Sequence, residues 1–507
     1  MNLSKVYFRR HANHLSVVVW LLLWSTAAQL FLNIDSPLHN TYGHIDSAWF
    51  FMCGKAWMNG LVPYVDFADS KGPMLWLIYG LGYLISPLNF NGLYYLSCIY
   101  FTAILYICYR MALLFLDRSR IWAFLAASAM VVPYFCWIDV EVRAEHWCQL
   151  PLIYCLYRLT CGLVDTNTLG NRKAMLYMGI GVAAVALIKW NISLLYGLIP
   201  SVIIVLYAIG HRIVDTFKLI GAFVIGFTCT LLPFIIILCC YSSFYAFVQE
   251  YFLNTGQMMI SLNIGGKGTL GAYFKNFLEF MISTKLWSVV FCLSSVLLLA
   301  RHRCLGLIPA VIGLIFIAVL SFHDMGYYLL AMSSFAIYLT IWLAKGIRTS
   351  TIHVYNQRAI VIGSLCLIML WSIFSILRSH GNIKGLSPVE QGRLTAETAA
   401  KTFNKPRILY YHGYECGFGI EANSLPTSKY WSLQNGASQQ MGHHQDSILL
   451  SGKADIIVFQ LSHYTFSTSE PSAVTERRIM DAGYIHISDF SIENIWTSKV
   501  YVRHNLH

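Results

Sequence analysis

Long apolar runs separated by short polar breaks fill the first three-quarters of the chain. Most run about 17–25 residues, enough as helices to cross a hydrocarbon core of roughly 30 Å. The pattern predicts spans at 15–33, 92–115, 121–137, 147–163, 175–188, 191–209, 219–240, 285–300, 304–320, 327–344 and 359–377. A further apolar segment, 73–86, ends at Ser86-Pro87; its length of about 14 residues fits a helix that dips into the membrane without crossing. After Arg378 the pattern changes and polar content rises. Ser387-Pro-Val-Glu390 reads as an N-cap, an N1 proline and a capping-box glutamate, opening a helix to Phe403. Short β-rich runs follow at Arg407–His412, Asp455–Gln460, Tyr484–Ile487 and Lys499–Arg503, with a second helix, Ser472–Ala482, ended by Gly483. Strands alternating with helices predict a small α/β domain. Gly413, Gly417 and Gly419 do not open a helix, so they make no nucleotide-binding loop.

Composition strengthens the membrane reading. The 507 residues are 57% hydrophobic and 12% charged, with mean hydropathy +0.57. A soluble domain carries about 25% charged residues. The run after Lys5, Arg9 and Arg10 lacks a small-residue cleavage site and reads as an uncleaved first helix. The net charge of +11 does not point to nucleic acid. Its basic residues sit in short clusters between apolar runs, as cytoplasmic loops do under the positive-inside rule.

If 73–86 does not cross, the clusters at Arg118–Arg120, Arg172–Lys173, Arg212–Lys218, Arg301–Arg303 and Lys345–Arg358 all fall on the cytoplasmic side. If it crosses, they invert. The expected architecture is a polytopic α-helical protein of the cytoplasmic (inner) membrane with about 11 transmembrane helices. A membrane domain, 1–378, has a first outer loop at 34–91 and a long outer loop at 241–283. An extracytoplasmic α/β domain, 379–507, follows. Of 14 cysteines only Cys53 and Cys416 lie away from apolar runs, and no CxxC occurs, which argues against a disulfide framework and a cysteine zinc site.

On this topology the ionisable groups collect at the outer ends of the spans. His44, Asp46, Asp66, Asp69 and Lys71 come first, then Asp139, Glu141, Arg143, Glu145 and His146, then Lys189, then His323 and Asp324. Any one of them alone is most often a solvated loop charge. Asp66 and Asp69, beside Pro63, read as turn caps that present Lys71, and the flanking Trp49, Trp57, Trp137, Trp147 and Trp190 read mostly as an interfacial belt. Gathered at one membrane face, however, such charges are costly to desolvate without a purpose. No nucleotide-sugar pool exists outside the cytoplasm, so sugar transfer there needs a donor carried on a lipid phosphate. The reaction needs a carboxylate to accept the acceptor's proton and cations to hold the departing phosphate. Asp46 and Lys71 suit those roles.

His44-Ile-Asp46, Gly60-Leu-Val-Pro-Tyr64 and Asp69-Ser-Lys-Gly-Pro73 resemble the first-loop signature of GT-C membrane glycosyltransferases. The nearest branch holds the protein O-mannosyltransferases and the lipid A aminoarabinose transferase. The resemblance implies that Asp46 is the catalytic carboxylate and that Lys71 contacts the lipid phosphate, although Gly72 stands where the branch has the first of two prolines. It further matches Arg143-Ala-Glu145 to a second acidic position, with Asp139 and Glu141 as alternatives for that role. Lys189 matches a lysine after the fifth span, and His323-Asp-Met-Gly-Tyr327 a late segment before a returning span. The implied site is Asp46 and Glu145 as catalytic residues, with Lys71, Arg143, His44, Asp69, Lys189, His323 and Tyr327 binding substrate. No cofactor is implied; a divalent cation between Asp46 and Glu145 is the alternative.

The implied partners are a polyprenyl-phosphate sugar donor, a glycan, lipid or protein acceptor, and membrane lipid, with no nucleic acid. Acceptor choice is assigned to the 241–283 loop and the C-terminal domain, where Glu421, Lys429, Tyr430 and Trp431 are candidates. Two other functions compete: a flippase or transporter of a lipid-linked glycan, and a glycan polymerase or ligase using a diphosphate-linked donor. No internal repeat of the kind many transporters carry is visible.

Overall fold

The computed structural model describes residues 3–33, 35–38, 45–135, 142–210, 212–256, 286–299, 303–320, 330–349, 363, 403–414, 417–433, 439–462, 472–492 and 496–504. Among the described residues, ten α-helices open the chain: α1 (Leu3–Leu32), α2 (Ile45–Met58), α3 (Pro73–Ile85), α4 (Asn91–Ala112), α5 (Arg120–Ser128), α6 (Val131–Phe135), α7 (Ala144–Val164), α8 (Arg172–Ala186), α9 (Trp190–Gly210) and α10 (Ile213–Cys240). Further helices follow at Leu286–Leu298, Arg303–Leu320, Leu330–Ser333 and Ala336–Thr349. Among the described residues, five helical stretches can by length and composition cross a membrane: Leu15–Leu32, Asn91–Ala112, Trp190–Gly210, Ile213–Cys240 and Leu330–Thr349.

Several predicted elements differ in detail. The helix predicted from residue 15 begins at Leu3, because α1 continues through the basic N-terminal residues. The third predicted span is broken into α5 and α6, with turn residues between Ser128 and Val131. The 34–91 segment, read as an outer loop, contains α2 and α3. At 13 residues α3 is about 20 Å long, short of the hydrocarbon thickness. Within 241–283, residues Phe244–Phe247 form a helical turn and Val248–Asn254 a π-helix. The predicted eleventh span and the Ser387 helix lie outside the described residues, apart from Gly363 and Phe403.

The chain forms two compact units that interleave along the sequence. The first comprises Met1–Asn33, Leu96–Phe234 and Ile260–Ser375, and the second Ile34–Tyr95, Ile235–Met259 and Ile376–His507.

In the first unit α7 packs against α8 and α9, and α5 against Ala336–Thr349. Pro151 lies inside α7. A proline there has no N–H to give the carbonyl four residues earlier. The hydroxyl of Tyr100, on α4, donates to that carbonyl, Trp147 O, and accepts from Leu150 N at 3.1 Å.

In the second unit α2 lies directly on α3. A Cβ at Gly54 would sit 2.4 Å from Gly80 N, so no larger residue fits that crossing. The C-terminal part is a five-stranded mixed sheet in the order β2-β1-β3-β5-β4, from β1 (Arg407–Tyr411), β2 (Leu425–Pro426), β3 (Ile456–Ser462), β4 (Tyr484–Ile492) and β5 (Trp496–Arg503). β1 pairs parallel with β2 and β3, and β5 pairs antiparallel with β3 and β4. The helices Gln439–Ser451 and Ser472–Asp481 contribute Ile448, Leu449 and Ile479 to a core with Leu409, Ile457, Phe459 and Tyr501. Gly483 follows the second helix with φ +90°, the left-handed conformation that ends helices. The sequence pattern missed β2 and the Gln439–Ser451 helix; the latter is polar along most of its length.

Candidate active site

The second unit carries the first-loop motif. Asp46 lies in the first turn of α2, where the positive end of the helix dipole favours an acid, and it is half-buried. Among the described residues no hydrogen bond or ion pair engages its carboxylate. The chain after α2 turns at Gly60 (φ +85°) and again at Tyr64, a non-glycine residue at φ +66°. Tyr64 N donates to Phe67 O at 2.7 Å, and its hydroxyl donates to Lys71 O at 2.9 Å. The ring is fully buried between Trp76 and Phe247, at centroid distances of 4.6 and 5.2 Å. A residue held in that backbone region is stabilised by what surrounds it; here the buried ring and two hydrogen bonds hold the loop so that its far end presents Lys71.

Asp66 closes the turn by accepting from Val62 N at 2.7 Å. Asp69 accepts from Ser70 N at 2.5 Å and from the Ser70 hydroxyl at 3.2 Å. Burial raises the Asp69 pKa above the ordinary carboxylate value, Lys71 opposes that shift, and the negative charge of Asp46 adds to it. Lys71 donates to Ser70 Oγ at 3.2 Å and lies 5.7 Å from the centre of the Phe50 ring, one turn along α2 from Asp46. A carboxylate with no hydrogen-bond or ion-pair partner among the described residues, a second acid and a lysine are therefore electrostatic neighbours on one small scaffold.

The first unit carries the second cluster. Arg143 is the N-cap residue of α7 and Glu145 lies in its first turn. Glu145 and Lys189, which precedes α9, form a buried ion pair at 2.5 Å. His146 bonds on both ring nitrogens, with Nδ1 2.7 Å from the Tyr134 hydroxyl and Nε2 3.1 Å from Ser97 Oγ. Ser97 in turn donates to Gln29 Oε1 on α1. Gln149 joins this turn to Ser334, whose hydroxyl donates to Gln149 Oε1 at 2.7 Å. The start of α7 is thus fixed by α1, α4, α6 and the turn that follows Leu330–Ser333.

The structure brings Asp46, Asp69 and Lys71 together and pairs Glu145 with Lys189, while Asp66 closes the same loop as Lys71 and Arg143 stands at the start of α7. His44, Asp139, Glu141, His323, Asp324 and Tyr327 lie outside the described residues. Among the described residues no three His, Cys, Asp or Glu side chains gather as a metal site. Sequence reasoning passed over Glu250. This buried acid in the π-helix is held by Lys429 Nζ at 2.5 Å, the Tyr430 hydroxyl at 3.0 Å and Asn254 Nδ2 at 3.0 Å. Its only signal was a single acid within the aromatic run Phe244–Phe252.

No family model matches the chain, and no curated protein sequence matches it. Solved structures do. ArnT from Cupriavidus metallidurans bound to undecaprenyl phosphate matches with a TM-score of 0.55 and 11% identity, over 96% of this chain and 98% of that one. The apo state of the same protein matches with a TM-score of 0.54 and 12% identity, over 97% and 99%. At this identity the likeness is one of fold. Over nearly its whole length the chain has the fold of ArnT.

Proposed function

We propose that the protein is an inverting glycosyltransferase that moves a sugar from a polyprenyl-phosphate donor to an acceptor on the extracytoplasmic side of the membrane. One observation carries the assignment: in a chain with the ArnT fold, Asp46 and Lys71 are neighbours around Asp69, and the Asp46 carboxylate has no hydrogen-bond or ion-pair partner among the described residues. A carboxylate not committed to a partner is available to take the acceptor's proton. Glu145, the other candidate, is paired with Lys189, so the base is assigned to Asp46. Lys71 binds the phosphate and offsets the charge it gains as the glycosidic bond breaks. The proton passes from the acceptor hydroxyl to Asp46, the acceptor oxygen bonds to the sugar's anomeric carbon, and the lipid phosphate leaves.

The polyprenyl character of the donor is supported by the undecaprenyl phosphate held in the matching ArnT structure. The positive charges that act on phosphate are supplied here by side chains, and no resident metal is assigned. The charge pattern of the loops in the sequence supports a C-terminal sheet domain outside the membrane.

Mass spectrometry of cell-surface glycans from cells with and without the protein tests the proposal. A glycan, lipid or protein species that loses a single sugar mass on deletion is the expected result. In reconstituted vesicles, movement of a labelled lipid-linked glycan across the bilayer with no new glycosidic bond identifies a flippase instead.

A further inference from the structure

Three consecutive residues of the C-terminal region send their side chains to distant parts of the second unit. Lys429 and Tyr430 both hold Glu250 of the π-helix. Trp431, fully buried, stacks on Trp49 of α2 with ring centroids 4.7 Å apart and planes 10° from parallel. The backbone of the same strap is tied to its own sheet. Tyr410 N, in β1, donates to Trp431 O at 2.7 Å, and Gln445 Nε2 donates to both Tyr430 O and Tyr410 O at 3.1 Å. The strap is thus rigid on the sheet side and projects its contacts outward. Trp49 lies three residues after Asp46, close to one turn along α2, so the two share a helix face. At the other end of the same segment Lys405 donates to Asn59 Oδ1 at 2.6 Å.

We infer that Trp431 is a positioning residue for Asp46: the strap Lys429–Trp431 carries the placement of the C-terminal sheet to the helix that bears the base. The inference rests on the role proposed above for Asp46, and it gives the C-terminal domain a part in catalysis without contact to the reacting atoms. A stacked indole pair resists sliding and tilting of the helix that carries one of its rings. α2 needs that restraint because its first turn holds a carboxylate with no partner of its own among the described residues.

Full-length protein in lipid nanodiscs allows the test, comparing wild type, Trp431→Ala and Trp431→Phe. Amide hydrogen exchange of residues 45–52 is expected to quicken about tenfold in Trp431→Ala and to stay near wild type in Trp431→Phe, which keeps an aromatic ring against Trp49. Exchange in β1, β3 and β5 is expected to be unchanged in both. Binding of undecaprenyl phosphate is the ground-state probe. It is expected to hold in Trp431→Ala while the protein-dependent surface product falls about tenfold, with recovery in Trp431→Phe. Unchanged exchange in residues 45–52 of Trp431→Ala overturns the inference, and so does loosening of the whole sheet, which marks Trp431 as an ordinary core residue. The absence of any protein-dependent product in wild type overturns the proposed function instead and leaves the exchange result standing.

Discussion

Lys189 Nζ lies 2.5 Å from Glu145 Oε1, with both side chains buried in the first unit. Removing one member of such a pair leaves a charge buried without its counter-ion, which typically costs about 3–5 kcal/mol. Lys189→Ala is expected to lower thermal stability strongly. The double variant Lys189→Met, Glu145→Gln is expected to recover most of the loss, because it removes both charges. A melting experiment on the detergent-solubilised protein reads both, and a double variant no better than the single one contradicts the pairing.

Tyr100 stands in for the backbone donor that Pro151 lacks. Tyr100→Phe leaves Trp147 O and Leu150 N each without that partner, an expected loss of about 1–3 kcal/mol. The α7 turn bearing Arg143 and Glu145 loosens with it, so hydrogen exchange in residues 144–150 is the sensitive measurement. No change there would show that α7 tolerates Pro151 without the Tyr100 hydroxyl.

How much of this was legible in the sequence follows from what each pattern encodes. The apolar runs marked the long helices because a membrane span requires an uninterrupted apolar stretch. They did not reveal α2, because Ile45–Met58 mixes Asp46, Ser47, Gly54 and Lys55 with its apolar residues in a segment bracketed by polar loops. The strands β1, β3, β4 and β5 were visible as β-branched and aromatic runs, while β2 has only two residues and no run to find. In the site, Asp46, Asp69 and Lys71 were legible from their local spacing. The Glu145–Lys189 pair was not, since 44 residues separate its members and only the packing of α7 on α9 joins them. The Lys429–Trp431 strap was noticed as candidate residues, but its attachment to Glu250 and Trp49 is a long-range contact that no local pattern carries.

Asp69 supplies a pH signature. Burial raises its pKa in the folded state, so between the unfolded carboxylate value of about 3.9 and the raised value the folded protein binds more protons than the unfolded chain. Its contribution to stability is therefore fully present below that window and is lost as pH rises through it. Asp69→Asn removes this loss and keeps an acceptor for Ser70 N. The melting temperature of Asp69→Asn minus that of wild type is expected to be positive at pH 7 and to shrink as pH falls towards 4. A difference independent of pH would contradict the assignment.

Lys71 is the cation assigned to the lipid phosphate. Among the described residues its ammonium donates to Ser70 Oγ, lies over the Phe50 ring and acts on Asp69 without a close ion pair, so its charge is available to a ligand. Lys71→Ala is expected to weaken binding of undecaprenyl phosphate about 10- to 100-fold, the value of one charge-assisted hydrogen bond to phosphate. Lys71→Arg is expected to bind closer to wild type. Equal affinities for wild type and Lys71→Ala would move the phosphate elsewhere.

Asp46→Asn tests the central claim most directly. The amide keeps the size of the carboxylate and cannot accept the acceptor's proton. The account predicts that the surface product lost on deletion of the protein is also lost in this variant, by about 100-fold or more. Abundance in the membrane and affinity for undecaprenyl phosphate should remain at wild-type levels. Transfer by Asp46→Asn at a rate close to wild type would contradict the assignment of Asp46 as the base.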